Sequence, residues 1–226
     1  MTRVAKTGMA FCLVSLFAVS AGARDWDDYG FTPREPSLKQ AGHWEWDWDG
    51  RDGLGIGLVG ATVHYHPTGP ARIVITGPDA ALERVRVGQG QVRWCHDCQA
   101  IKGLDVTVTG VTLHNVALSG ADVNIQLGPL DQDLLRLALA GTGEIDASGR
   151  VDRLDASISG AGNIGMAQAT VQRANINIAG SGDVAVTPKE EANVHVAGSG
   201  RVRMSAMPVR LNQSVTGSGG VKIAGN

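Results

Sequence analysis

Residues with chemical potential are few in this chain and fall into four small groups. Cys95-His96-Asp97-Cys98 has the two-residue spacing of redox and metal motifs. It follows a short alternating run, Gln91 to Trp94, instead of opening a helix, so no helix N-terminus stands by to stabilise a thiolate. Three readings stay open for it: a disulfide that clamps a turn, which the sequence favours, a metal site, or a redox pair. For metal, His64 and His66 are the candidate partners of Cys95 and Cys98, because i, i+2 spacing on a strand puts both imidazoles on one face. A c-type haem attachment is excluded, since His96 lies between the cysteines and not after them.

Trp44, Trp46 and Trp48 alternate with Glu45, Asp47 and Asp49, which places three indoles on one face of a strand. Such a face can stack on sugar rings, with the flanking acids accepting from hydroxyls, or it can plug the open end of a larger assembly. The plug is the preferred reading. Glu144 and Asp183 form the last group. They fall in one outward column two repeats apart, ~9–10 Å at the strand spacing, near the separation that inverting glycosidases use. Their column also holds Asn163 and Arg201, and alternating Asp and Arg is what any solvated ladder adopts. The connections around them are too short to build a cleft that excludes water. The chain is therefore read as non-enzymatic, with no catalytic residue and no cofactor.

These groups must be positioned by a repeat. A small residue, Gly, small, Gly, any residue and an aliphatic recur five times, as AGTGEI, SGAGNI, AGSGDV, AGSGRV and TGSGGV. The glycine pairs are Gly141 and Gly143, Gly160 and Gly162, Gly180 and Gly182, Gly198 and Gly200, and Gly217 and Gly219, at a period of 18 to 20 residues. A repeat this short, without long helical segments between copies, is the mark of a stacked solenoid. Counting from each first Gly, positions two, four and six before it and four and six after it are nearly all aliphatic, Gln213 being the polar exception. That describes two strands per rung, each turning alternate side chains to a shared interior. Neighbouring rungs lie only ~4.8 Å apart, so the glycines let backbones stack at a corner with no room for Cβ. A phosphate-cradling loop would need a helix after Gly-x-Gly, and an aliphatic strand follows each time. Leu130 to Ala140, the one helix-like stretch, is assigned to a rung strand, and an irregular first rung is placed at Leu118-Ser119-Gly120.

Ahead of the rungs, short strands are expected at Ala61–His66, Arg72–Thr76, Arg84–Val87, Gln91–Trp94 and Asp105–Thr109, after a Gly-rich turn at DGRDGLGIG. Residues 1–23 read as an export signal: Arg3 and Lys6, an apolar run from Met9 to Val19 too short to span a bilayer, and a small-residue site at Ala21-Gly22-Ala23. Cleavage after Ala23 would remove Cys12 and lower Lys+Arg from 20 to 18 against 22 acids, leaving a net charge near −4. Weak acidity argues against nucleic acid and anionic membrane as partners. No further membrane span is expected, and Cys95 and Cys98 would be the remaining thiols in an oxidising compartment. Residues 24–58 are expected to be a linker with a Trp-rich strand or cap, and residues 59–226 the solenoid.

The rungs, with ARIVITGPDAALERVRVGQGQVRW (Ala71–Trp94) and LDVTVTGVTLHNVALSG (Leu104–Gly120) before them, resemble the auto-transporter adhesin head, or GIN domain, family over Val59 to Asn226. That resemblance implies an all-β fold, a single-stranded right-handed β-helix of about 18–20 residues per rung. It also implies export into a bacterial envelope, periplasm or cell surface, and no established biochemical activity. The membrane barrel in the family's name is not expected here, because the last rung runs to Asn226. The tryptophan strand and the Cys95–Cys98 element have no counterpart in the family pattern. The leading function is thus a binding or scaffolding solenoid for a glycan or an envelope protein, and the alternative is a metal-binding or redox protein using Cys95, Cys98, His64 and His66. The final rung, Leu211 to Gly225, is expected to expose a strand edge and Val215, Val221 and Ile223. Either self-association or the Arg24–Gly42 arm would cover it.

Overall fold

The structure, a computed structural model, describes residues 31–48, 51–95 and 98–224. The expected export signal, Cys12, the start of the arm, Asp49, His96, Asp97 and the last two residues lie outside the described residues. In chain order come β1 (Leu38–Gln40), β2 (His43–Asp47), β3 (Gly53–Gly57), β4 (Ala61–His66) and β5 (Arg72–Thr76). After the single-turn helix α1 (Asp79–Leu82) follow β6 (Val85–Gly88), β7 (Gln91–Trp94), β8 (Leu104–Thr109) and β9 (Asn115–Gly160). The chain continues with β10 (Asn163–Gly180), β11 (Asp183–Gly198), β12 (Arg201–Met204), β13 (Arg210–Gly217) and β14 (Gly220–Ile223).

From β9 onward the chain winds into a β-solenoid of about four turns. Each rung pairs in parallel with the next, and the repeat glycines stay in register: Gly160 faces Gly180, Gly180 faces Gly198, and Gly198 faces Gly217. The expected inward columns are buried through the rungs that have neighbours on both sides. Leu139, Ile158, Ile178 and Val196 form one column, and Ile145, Ile164, Val184 and Val202 another, each 2 % exposed or less. Two strands per rung proves too few. The strand runs on through a further wall, where Val151 pairs with Val171 and Val171 with Pro188, all buried. Its corner is Gly149, where a Cβ would strike the Leu130 carbonyl.

At Gly180 and Gly198 φ is +135° and +128°, a left-handed region that L side chains rarely adopt. A Cβ on either glycine would also collide with the carbonyl oxygen of the glycine one rung back. Both expected reasons for glycine therefore act at the same residue. Gly120 sits beneath Gly141 in the same column, so the irregular first rung is real.

Before β9 the pairing changes character. β4 runs parallel to β8 and β9, but β5 is antiparallel to β8, β2 to β5 and β1 to β2. Two elements depart from the sequence reading. The GLGIG segment expected as a turn is β3, with Leu54 and Ile56 buried and pairing in parallel with β7 and β9. Its alternating glycines leave space for Gln91 and Arg93 on the neighbouring strand. The described part of the arm is not loose either. Arg34 N–H donates to the Val87 carbonyl (2.8 Å), Ser37 N–H to that of Glu45 (2.7 Å), and β1 then pairs with β2. The two parts of the molecule meet at Tyr65, whose buried hydroxyl donates to the Val111 carbonyl (2.6 Å), and at Gln132, which donates to the carbonyls of Leu113 and Leu134.

Candidate binding surface

In-register stacking turns every outward position of the repeat into a column. On the wall before the repeat corner, Asp155, Asn175, Asn193 and Asn212 align, and beside them Ser157, Asn177, His195 and Ser214. The first column is a hydrogen-bonded ladder. Asn175 Nδ2 donates to Asp155 Oδ1 (2.7 Å), Asn193 Nδ2 to Asn175 Oδ1 (3.0 Å), and Asn212 Nδ2 to Asn193 Oδ1 (2.9 Å). Asn193 also donates to Glu191 Oε1 (3.0 Å). This bond, then the nearby Arg210 guanidinium, holds the Glu191 carboxyl below its ordinary range. Asp155 is fixed at the start of the ladder by Arg153 Nε at 3.1 Å.

An amide carries two N–H donors and two acceptor lone pairs. Of these bonds the ladder takes one donor each from Asn175 and Asn212 and both from Asn193, which leaves Asn175 and Asn212 each one N–H and every amide oxygen a lone pair. With the exposed Asn177, His195 and Ser214, these groups line an open groove of about 410 Å³. The two central columns between Asn175 and Ser214 hold no formal charge while His195 is neutral. The wall can therefore offer directional hydrogen bonds, fixed in position by the ladder, to a neutral ligand. Sequence reasoning missed it by following the inward positions of each rung. The outward ones, five and three before each first Gly, carry the same period and would have exposed it.

The residues singled out from sequence fall elsewhere. Cys95 and Cys98 form a disulfide that closes the loop after β7, where Cys95 N–H donates to the Arg84 carbonyl (2.7 Å) and Arg84 Nη1 to that of Gln99 (2.8 Å). The metal alternative finds no support here. For the metal reading, both sulfurs are spent on each other, and β4, which carries His64 and His66, pairs with β8 and β9, not with β7; the disulfide itself is the oxidised form that a redox pair would also show. His64 Nε2 lies 3.5 Å from Asp105 Oδ2, and no three His, Cys, Asp or Glu among the described residues converge as a metal site would require.

Trp44, Trp46 and Trp48 are 7 %, 3 % and 9 % exposed, so the sugar-stacking reading is withdrawn. Their faces pack in the core and their Nε1 groups are occupied, that of Trp46 by the Arg34 carbonyl (3.1 Å) and that of Trp48 by the Arg51 carbonyl (2.7 Å). Glu144, Asn163, Asp183 and Arg201 do form one column. Yet Glu144 is exposed, and Asp183 accepts from the Arg201 backbone N–H (3.1 Å) and from Arg203 Nη2 (2.7 Å). The side chain that pairs with Asp183 is thus the diagonal Arg203 and not Arg201, since j+2 neighbours share a face.

This fold and surface define an adhesin-head-like β-solenoid. Residues 64–208 match the family described as "Putative auto-transporter adhesin, head GIN domain", and the chain belongs to that family. A solved structure described as a putative adhesin from Bacteroides fragilis is similar at 19 % identity and a TM-score of 0.63, covering 80 % of this chain and 95 % of that one. Two from Parabacteroides distasonis, described as a putative lipid binding protein and a putative adhesin, align at 17 % and 14 % identity with TM-scores of 0.49 and 0.47. Each covers 80 % of this chain and 96 % of its own. No curated protein matches the chain by sequence.

Proposed function

We propose that this protein is an exported, non-catalytic binding solenoid whose amide wall recognises a glycan. The observation that carries the reading is the Asn175–Asn193–Asn212 ladder beside Asn177, His195 and Ser214. Sugars are neutral and dense in hydroxyls, and each hydroxyl both donates and accepts. A column of amides with an open acceptor at each ~4.8 Å step and an open donor at Asn175 and at Asn212 complements such a ligand. Membership in a family of adhesin heads supports a role in binding. The exposed and paired carboxylates of the Glu144–Asp183 column offer no desolvated acid for hydrolysis.

On this reading residues 1–23 are a leader removed during export, and the mature chain works in the periplasm or at the cell surface. A glycan array probed with residues 24–226 tests it. Binding is expected to a restricted set of neutral glycans and to be lost in Asn193→Ala and in His195→Ala, the latter at an unchanged melting temperature. Retention of a protein ligand with no glycan signal would reject the glycan assignment.

A further inference from the structure

The two ends of the solenoid are finished differently. At the leading end the last strand, β1, is three residues long and antiparallel, Lys39 Nζ lies 4.0 Å over the Trp44 ring, and the segment from Phe31 to Ser37 is bonded down beside it. A short, occupied edge of this kind is a poor template for another strand. At the trailing end, among the described residues, β13 pairs only with β11, and β14 only with β12. Met207, Val209 and Val215, at 63 %, 84 % and 39 % exposure, are the exposed large hydrophobics among the described residues, and all three lie in this last rung. Leu211, Val221 and Ile223 continue the inward columns there, only partly buried.

The described part of the arm lies far from this end. Its first described residue, Phe31, stacks under Arg93 of β7 with the guanidinium 3.4 Å from the ring centre. From β7 the path to β13 crosses β3 and the successive rungs, roughly seven strand spacings or about 34 Å. With residues 1–23 removed as proposed above, residues 24–30, fully extended, would span ~25 Å at most.

We propose that two copies of this chain associate tail to tail, β13 pairing antiparallel with β13 of the second copy about a two-fold axis at Gln213. Gln213 occupies an inward column that elsewhere holds Leu137, Ala156, Ile176 and Val194, so an amide there is out of place in a rung stacked on both sides. On the axis it meets its own symmetry mate, and two amides satisfy one another by reciprocal N–H to C=O bonds. The same register sets Leu211 against Val215 of the second copy, Asn212 against Ser214, and Arg210 against Thr216. No like charges stand opposite, and apolar residues meet apolar residues. The contact is isologous and closes at two copies. It shares Asn212 and Ser214 with the glycan wall but rests on the free strand edge and Gln213, so a dimer without glycan binding, or the reverse, tells the two readings apart.

Light scattering on residues 24–226, with the Cys95–Cys98 disulfide intact, tests the assembly. The expected mass is twice that of the chain, falling toward one copy on dilution. A single copy at every concentration overturns the proposal, and so does an open series of larger species. Val215→Lys sets a charge against Leu211 and is expected to yield single copies that melt normally; persistence of the dimer overturns the proposal. Gln213→Cys is expected to cross-link quantitatively under mild oxidation, and a dimer that fails to cross-link rejects this register. A chain beginning at Phe31 is expected to dimerise like the longer one. Association only after that truncation would mean that the arm is the natural cover, and would also overturn the proposal.

Discussion

The stack after Asn115 and the strands before Thr109 solve the same problem, burying a sheet face, in opposite ways. In the trailing part each rung repeats its predecessor, pairs in parallel and places like residues over like, down to the glycine of each corner. In the leading part parallel pairing gives way to antiparallel, and three indoles fill space that small aliphatics fill elsewhere. Repetition can extend a core indefinitely, because each rung presents to the next the surface it received. It cannot end one. Termination requires sequence that breaks the period, and β1, β2 and the Phe31–Ser37 strap supply it at the leading end.

The difference breaks most sharply at a corner. Gly198→Val in the trailing stack is expected to cost more than about 4 kcal/mol, because positive φ and a backbone collision act together and the stacked rung cannot move aside. Ala197→Ser next to it, exposed and outward, is expected to stay within ~0.5 kcal/mol. Denaturant melts of the two variants measure this, and equal costs would mean that the stacked corners do not hold the rungs.

In the leading part the vulnerable feature is bulk. Trp46→Ala is expected to cost about 3–5 kcal/mol, since it empties a buried site and strips the Arg34 carbonyl of its donor. Hydrogen exchange sharpens the contrast: protection should fall first in β1, β2 and β5, with the rungs beyond β10 affected least. Uniform loss along the chain would mean that the two parts unfold as one unit.

A smaller effect is expected from Cys95→Ser with Cys98→Ser. The disulfide joins positions three apart, and so short a closed loop contributes about 2 kcal/mol in the chain-entropy account. Intact mass with alkylation should find no free thiol in unreduced residues 24–226, which lack Cys12. Two freely alkylated cysteines would remove the clamp from this account.

The smallest effect should be the response to acid, and it should be shared by both parts. Glu45 in β2 is held below its ordinary pKa of 4.5 first by its hydrogen bond with His43, then by Arg72, and Glu191 in β11 first by Asn193, then by Arg210. Asp122 between them is lowered by Lys102. A carboxylate with a depressed folded-state pKa binds fewer protons folded than unfolded. Its contribution is therefore complete above the unfolded value and lost as pH falls through the folded one. A shallow drop in melting temperature below about pH 4.5 is expected, reduced in Glu45→Gln and in Glu191→Gln.

The stacking of the trailing part and its glycine corner were written in the sequence, because a period of 18 to 20 residues with glycine at fixed offsets marks a solenoid. The further wall through Val151, Val171 and Pro188 was not. Leu139, Ile158 and Ile178 could be placed in a common interior before any coordinate was known. The lone polar residue in those columns, Gln213, was visible there too. The leading part was legible only as a set of short strands. Alternation locates a strand but does not name its partner, so the order β1-β2-β5-β8-β4 and the burial of Trp44, Trp46 and Trp48 were settled by long-range pairing. The same distinction governs the surface. Each asparagine of the ladder is one polar residue in its own rung, and only in-register stacking joins Asn175, Asn193 and Asn212 into a single hydrogen-bonded column.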